Sequence, residues 1–278
     1  ARSFDPQVLI VEANPRYLSS PGAVRYMHNL NRPVIGWGLG APQSRGWRAS
    51  SWRGFLNTFD ALIAYSKRGA EEYAQLGFRP DRIFVAPNAV TMKPTSLPPE
   101  RPENLESGKP IVLYVGRLQP RKRVDMLIRA CASFAPKLQP QLWIVGDGPA
   151  RTELETLANK LLPSTRFWGA VYDSELDKYF KAADLFVLPG TGGLAVQQAM
   201  SFGLPVIVAE ADGTQKDLVT ADNGWMIPAE DQAALTNRLE TAINDIPRLR
   251  KMGAASFDIA SRINIEGMVE TFQQAVQT

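Results

Sequence analysis

Residues 188–208 read LPGTGGLAVQQAMSFGLPVIV. The pattern predicts the end of a buried strand, a glycine-rich turn, a short helix and a second buried strand. Such turns often bind phosphate, because bare amides at a helix N-terminus attract anions, and Gly190, Gly192 and Gly193 leave such amides for a substrate just before the predicted helix. The segment nevertheless contains no carboxylate, no histidine and no lysine. The sequence therefore leaves two interpretations open, a ligand site or only a tight corner between strand and helix.

The same strand–turn–helix order recurs along the rest of the chain. In the first half, residues 1–90, we expect about four strands, at 7–14, 33–41, 61–66 and 82–90, with helices at 21–31, 52–60 and 67–77. In the second half, residues 110–253, we expect strands at 110–118, 141–148, 165–171, 184–190 and 205–210, with helices at 124–135, 149–162, 173–183 and 231–244. Short apolar strands alternating with helices predict two parallel sheets covered on both faces.

The segments between and after these halves have a different character. Residues 91–109 are rich in proline, serine and charge, which predicts an interdomain linker. Residues 254–278 predict closing helices that pack back toward the first domain. The first half has fewer strands than a complete doubly wound domain, so we expect that preceding polypeptide is missing.

Composition narrows the classes of protein and of site. The 278 residues are 45% hydrophobic, with a net charge of +3, which is too mild to favour nucleic acid as a partner. Cys131 and His28 are the single residues of their types, so neither an internal disulfide nor a Cys/His metal site is expected. We interpret Cys131 as a core residue and His28 as a helix residue. No apolar run approaches the ~20 residues of a membrane span, which indicates a cytoplasmic location and leaves peripheral attachment to the inner face of the membrane open.

Cations gather at the end of the first strand of the second half. Ligands of doubly wound sheets bind outside the carboxyl ends of the strands, which here carry GRLQPRKR, GDGPA, WGAVYD, PGTGGLA and AEADGTQ. Guanidinium forks and a lysine suit a diphosphate, and the first of these turns supplies Arg117, Arg121, Lys122 and Arg123. A solvated basic turn is the alternative.

Two other strand ends give weaker signals. GDGPA begins like a dinucleotide fingerprint, but Arg151 occupies the place of the third small residue, so we favour tight packing of strand on helix with a minor ligand contact. WGAVYD ends its strand at Gly169, where exposed backbone can pair with the edge of a nucleobase. An ordinary loop is the alternative.

Five motifs in order give the chain a family resemblance. They are YVGRL-x-x-x-K-x-x-D-x-LI, IVGDGP, F-x-G-x-V, DLFVLPG and AM-x-x-G-x-PVI. Over residues 110–250 this order resembles the second domain of retaining glycosyltransferases of GT-B architecture, especially glycosyltransferase family 4. VEANPRYLS and WGLGA in the first half resemble a bacterial surface-polysaccharide branch. The resemblance implies an α/β fold of two doubly wound Rossmann-like domains with parallel sheets, the first of them incomplete.

The resemblance also implies roles for individual residues. Arg117 and Lys122 match the pair that grips the donor diphosphate and neutralises the leaving group, so they are catalytic in the electrostatic sense. The remaining matches are backbone contacts: Gly169, Ala170 and Val171 to the base, and Gly193 and Leu194 to the phosphates.

The chain departs from the family pattern at three places. The family has two glutamates eight positions apart where this chain has Gly190 and Gln198. Gln198 can still hydrogen-bond ribose hydroxyls without charge, whereas Gly190 cannot place a donor sugar through a side chain. Glu12 stands where many members have a histidine. We assign it to the catalytic site, in contact with donor or acceptor, with a buried structural carboxylate as the alternative.

The implied activity is transfer of a sugar from a nucleotide diphosphate sugar to a glycan or lipid-linked acceptor with retention. No metal and no cofactor beyond the donor is expected, because Arg117 and Lys122 take the place of a cation. Two alternatives stay open. One is a catalytically silent protein that binds nucleotide sugars, suggested by the missing glutamates, and the other is a sugar-nucleotide epimerase, which needs carboxylates in the cleft.

Overall fold

The computed structural model of the protein describes residues 5–41, 47–94, 96–100 and 108–278, except for the side chains of 47–49. Contacts divide the chain into two units, one formed by Ala1–Ala89 with Ile265–Thr278 and the other by Val90–Asn264. Each unit contains one sheet, and every strand pair is parallel. The fold is therefore α/β with two Rossmann-like sheets, as predicted.

The elements in chain order alternate between strands and helices. The strands are β1 (Leu9–Glu12), β2 (Val34–Gly38), β3 (Ala61–Ala64), β4 (Ile83–Val85), β5 (Ile111–Val115), β6 (Gln141–Val145), β7 (Arg166–Phe167), β8 (Leu185–Leu188), β9 (Val206–Ala209) and β10 (Gly224–Ile227). The helices are α1 (Ser20–Asn29), α2 (Trp47–Leu56), α3 (Lys67–Gln75), α4 (Val124–Ala132), α5 (Arg151–Leu161), α6 (Ser174–Ala182), α7 (Leu194–Ser201), α8 (Gln215–Leu218), α9 (Gln232–Ile243), α10 (Ile246–Arg262) and α11 (Ile265–Gln277).

The first unit has a four-stranded sheet in the order β1-β2-β3-β4. Met27 of α1, Leu56 of α2 and Tyr73 of α3 pack together with Leu62 in one buried cluster. Ala275 of α11 belongs to a second cluster with residues of β2 and β3. The strand count of this half is as predicted.

The second unit has a six-stranded sheet in the order β10-β9-β8-β5-β6-β7. Its large core includes the apolar face of α4 and the buried thiol of Cys131, whose pKa burial raises to about 12. Among the described residues, no helix is both long and apolar enough to cross a membrane.

Several predicted boundaries are wrong, each for a local reason. The sequence pattern does not predict strand β10, because its four residues follow a turn and carry no alternating pattern. Strand β7 has two residues instead of seven, since Gly169, at φ 72°, turns the backbone out of the sheet. Helix α2 begins at Trp47 and ends at Leu56, ahead of the predicted range 52–60.

The parallel order brings the site loops together. Because the strands run in one direction, the loops after β5, β6, β8 and β9 all leave the sheet at the same edge. β5 and β8 are neighbours at the centre, and β6 and β9 flank them. The loop after β5, residues 116–123, is called the basic turn, and the loop after β8, residues 189–193, is called the glycine-rich turn. They are thus adjacent loops on adjacent strands.

Candidate functional site

A cavity of about 370 Å³ lies at the carboxyl ends of β5 and β6, beside the loop after β7. At Gly116 and Gly146 the wall of the cavity consists of backbone atoms, because glycine has no side chain. Arg117 lies at the rim, and its side chain is exposed to solvent. Three predicted site residues line it, namely Arg117, Ala170 and Val171. Gly169 is not among the lining residues, but its carbonyl accepts a hydrogen bond of 2.7 Å from the amide of Gly146, which lines the cavity.

Glycines set how closely the walls of this cavity approach. Gly146 has φ 141°, and a Cβ there would lie 1.9 Å from the carbonyl oxygen of Gly116. A Cβ on Gly148 would lie 2.4 Å from the carbonyl oxygen of Leu118. The tight contact at GDGPA therefore joins the loops after β6 and β5, backbone against backbone, and the predicted packing of strand on helix stays a prediction.

The cations of the basic turn between β5 and α4 have two kinds of partner, either the glycine-rich turn or acidic side chains. Lys122 donates a hydrogen bond of 2.5 Å to the carbonyl of Thr191, and the guanidinium of Arg121 donates one of 2.7 Å to the Thr191 hydroxyl. Arg123, at φ 53°, instead pairs with Asp125 at 3.2 Å and with Glu230 at 2.8 Å. Lys122 and Arg121 thus face the glycine-rich turn, while Arg123 is held by acidic neighbours.

The glycine-rich turn fits closely against the basic turn. A Cβ on Gly190 would lie 2.3 Å from the carbonyl oxygen of Arg121, so position 190 has no room for any side chain. A Cβ on Gly192, at φ 140°, would lie 2.4 Å from the ammonium nitrogen of Lys122. The turn leads through Gly193 into α7, whose first residue, Leu194, is half-exposed. The corner between strand and helix is therefore tight. Lys122 of the basic turn lies beside it, on the same side as the amides at the start of α7.

A third loop, for which no role was predicted, completes this surface. Gln215, only 1% exposed, donates a hydrogen bond of 2.8 Å to the carbonyl of Gly192. Asp212 accepts a hydrogen bond of 2.6 Å from the hydroxyl of Thr214, which lies 3.3 Å from the place of a Cβ on Gly193. The signal in the sequence was AEADGTQ at a strand end, but its polar residues match no motif with a known mechanism.

Burial and neighbouring charge act on Lys122 together. Burial, followed by the nearby guanidinium of Arg121, lowers the pKa of the Lys122 ammonium, whereas Asp212 acts in the opposite direction. An anion placed between these cations would relieve both the repulsion and the cost of burial. The arrangement can therefore bind an anion at the glycine-rich turn.

The two glutamines of α7 have different surroundings. Gln197 is buried, accepts a hydrogen bond of 2.8 Å from the Val90 amide and donates one of 2.7 Å to the Ile263 carbonyl. Gln198, the predicted ribose contact, is half-buried at the next position. Gln197 thus has a structural role, which leaves Gln198 as the glutamine of α7 available for a ligand.

Glu12 belongs to the first unit, at the carboxyl end of β1. The hydroxyl of Tyr65 donates a hydrogen bond of 3.2 Å to its carboxylate. Burial first, and then this carboxylate, raises the pKa of the Tyr65 phenol. Glu12 is half-buried, so it combines a structural contact with access to solvent. His28 lies on α1, as predicted, 3.1 Å from Asp60.

Known proteins resemble the chain in sequence and in fold. A GDP-mannose-dependent alpha-mannosyltransferase of Mycolicibacterium smegmatis is 32% identical over 78% of this chain and 59% of its own length. The galactosyltransferase WaaB of the lipopolysaccharide outer core, in its apo form, has a TM-score of 0.78 at 18% identity, covering 99% of this chain and 76% of that one. Anabaena HepE in complex with UDP has a TM-score of 0.74 at 21% identity, covering 92% and 75%.

The extent of these matches decides what they establish. The chain spans 39–59% of the length of the first curated relatives it matches. Structures below 25% identity establish the fold, which is the GT-B architecture. The model of glycosyl transferases group 1 matches residues 99–258, which is more than half of the chain and contains the basic turn, the glycine-rich turn and the loop after β9. The chain therefore belongs to the group 1 glycosyl transferases.

Proposed function

We propose that the complete protein transfers a sugar from a nucleotide diphosphate sugar to a glycan or lipid-linked acceptor, with retention and without a metal. The observation that carries the proposal is Lys122, held by Thr191 against a glycine-rich turn at the start of a helix. A lysine and helix-start amides on one surface match the charge of a diphosphate.

The cavity beside Arg117 supports a nucleotide as the ligand. Its volume of about 370 Å³ lies at the lower end of the range for small-molecule sites. Its backbone at Ala170 and Val171 suits the edge of a base, and Gly193 and Leu194 suit the phosphates. Gln198 is assigned to the ribose. Arg117 and Lys122 would then neutralise the departing diphosphate, which lets the reaction proceed without a cation.

The proposal for the acceptor extends to attachment at a membrane surface. Residues 13–59 contain six arginines and no acidic residue. Within this stretch, Leu18 is 92% exposed, beside the exposed Arg16 and Tyr17. Arginine and aromatic residues around an exposed leucine suit an anionic interface with lipid. Sedimentation with vesicles of phosphatidylcholine, with or without phosphatidylglycerol, tests this, and equal recovery in both pellets contradicts it.

A catalytically silent nucleotide-sugar-binding protein is the second candidate. It is favoured by Gly190, where no carboxylate can be accommodated, and by the uncharged Gln198. Only turnover separates this candidate from a transferase, because both bind the donor.

The test uses the full-length protein that contains this chain. A thermal-shift panel of ADP, GDP, UDP and dTDP, each with a corresponding sugar nucleotide, identifies the donor. Release of the nucleoside diphosphate is then measured with and without EDTA, and NMR gives the anomeric configuration of the product. Binding without transfer or slow hydrolysis would support the silent protein, and an isomerised donor would indicate an epimerase. No binding in any arm would overturn the proposed function.

A further inference from the structure

The glycine-rich turn leaves the donor sugar without a carboxylate from its own loop. Sugar hydroxyls are donors, and a carboxylate is the strongest side-chain acceptor for them. Position 190 cannot supply one, because the carbonyl of Arg121 occupies the space of a Cβ. A group that holds the donor sugar must therefore come from a neighbouring loop.

The loop after β9 brings a carboxylate to this surface. The Oδ1 atom of Asp212 accepts hydrogen bonds from the amide and the hydroxyl of Thr214, at 3.1 and 2.6 Å. Thr214 in turn lies against Gly193, and Gln215 anchors the same loop to the carbonyl of Gly192. The Asp212 side chain is thus fixed through one oxygen beside the glycine-rich turn, and the residue is exposed to solvent.

We propose that Asp212 binds hydroxyl groups of the donor sugar and takes the place of the carboxylate that position 190 cannot carry. The proposal rests on the proposed function, because it requires the diphosphate at Lys122. A sugar on the terminal phosphate lies next to the turn that holds the diphosphate, and there its hydroxyls can donate to Asp212.

The sign of the charge supports a contact with sugar and not with phosphate. A carboxylate close to an anion-binding turn repels a diphosphate, so Asp212 weakens the binding of a free nucleoside diphosphate. Its attraction is for neutral hydroxyls, and beyond the terminal phosphate only the sugar nucleotide offers them. The bare nucleotide and the sugar nucleotide therefore respond to its removal in opposite directions. A role confined to shaping the loop through Thr214 would weaken both ligands alike.

The test compares Asp212→Asn with wild type in the full-length protein by calorimetry. The probes are the nucleoside diphosphate and the corresponding sugar nucleotide that bind best in the panel of ADP, GDP, UDP and dTDP. Asparagine keeps an oxygen for Thr214 and loses the charge. We expect affinity for the sugar nucleotide to fall about tenfold, the difference between charged and neutral hydrogen bonds. Affinity for the bare diphosphate should stay the same or rise.

Three further variants define the outcome. Asp212→Glu keeps the carboxylate and should recover part of the lost affinity. Asp222→Asn is the matched control, since this exposed aspartate precedes β10 at the opposite edge of the sheet. Glu210→Gln tests the other carboxylate of the same loop. Equal loss for both ligands in Asp212→Asn, no loss for either, or loss of sugar binding in Glu210→Gln alone would overturn the proposal. Absence of nucleotide binding in the wild type would overturn the proposed function instead.

Discussion

Replacing Lys122 with methionine should abolish most of the affinity for nucleoside diphosphate without unfolding the protein. Methionine has nearly the same length and removes the ammonium group, with its charge and its hydrogen-bond donors. In the structure Lys122 is half-buried, its ammonium donates to Thr191, and Arg121 stands beside it. Burial lowers the pKa of Lys122, because the charged ammonium loses part of its solvation there.

The expected magnitude follows from the contacts that are lost and kept. A charged hydrogen bond contributes about 1.5–3 kcal/mol. Because Arg117 and Arg121 remain, a loss near 2 kcal/mol is expected, roughly 30-fold in Kd. The lost bond to the Thr191 carbonyl costs about 1 kcal/mol of stability, and relief of the buried charge offsets part of it. As the pH rises, Lys122 loses its charge and the wild-type protein should lose affinity. Because the pKa of Lys122 is lowered, this loss should begin at a lower pH than for an ordinary lysine, and the variant should lack it.

Calorimetry with the best-binding nucleoside diphosphate and urea unfolding together check the prediction. Lys251→Met on α10 is the control, because it removes an exposed lysine from the same unit. Unchanged Kd in Lys122→Met would show that the diphosphate binds elsewhere. A fall in the free energy of unfolding by several kcal/mol would show instead that Lys122 holds the two turns together.

Three further changes test the surroundings of the site. Gly190→Ala should lower the free energy of unfolding by about 1–3 kcal/mol, because the new Cβ meets the Arg121 carbonyl, and unaltered urea unfolding would contradict the close contact. Asp184→Ala should cost about 3–5 kcal/mol in the same measurement, since it removes the buried carboxylate that accepts a hydrogen bond of 2.8 Å from the largely buried guanidinium of Arg250. Cys131 should resist iodoacetamide at pH 8 until the protein unfolds, because burial raises its pKa to about 12, and rapid alkylation of the native protein would contradict its burial.

The sequence predicts the architecture well because its main signal is local. Buried strands such as β5 and β8 are short apolar runs between turn residues, and the amphipathic face of α4 repeats with helical spacing. Parallel pairing then follows from the alternation of strands and helices. β10 and the short β7 escape prediction, because a four-residue strand and an early turn at Gly169 depend on tertiary packing.

The candidate site is predictable in its cations and not in its supporting contacts. Lys122 follows from its place in a basic turn at a strand end. Thr191, Asp212 and Gln215 do not, because their role depends on which carbonyl or hydroxyl a folded loop brings within 3 Å. For Arg123 the sequence predicts too much. It belongs to the run of cations expected to bind a diphosphate, but in the structure it forms an ion pair with Glu230, more than a hundred residues away.

The close contact between the two turns explains why position 190 carries a glycine and not the glutamate of the family pattern. A side chain at position 190 is incompatible with the carbonyls of Arg121 and Lys122 at their observed distance, so the glycine is a condition for this packing. The packing in turn lets the Thr191 carbonyl reach Lys122, which holds the ammonium against Gly192. Restoring a glutamate at 190 would separate the two turns before it could contact a sugar. Under the proposed function, selection of the donor sugar would therefore depend on residues outside the glycine-rich turn, and the loop that carries Asp212 is the one whose contacts bring it there.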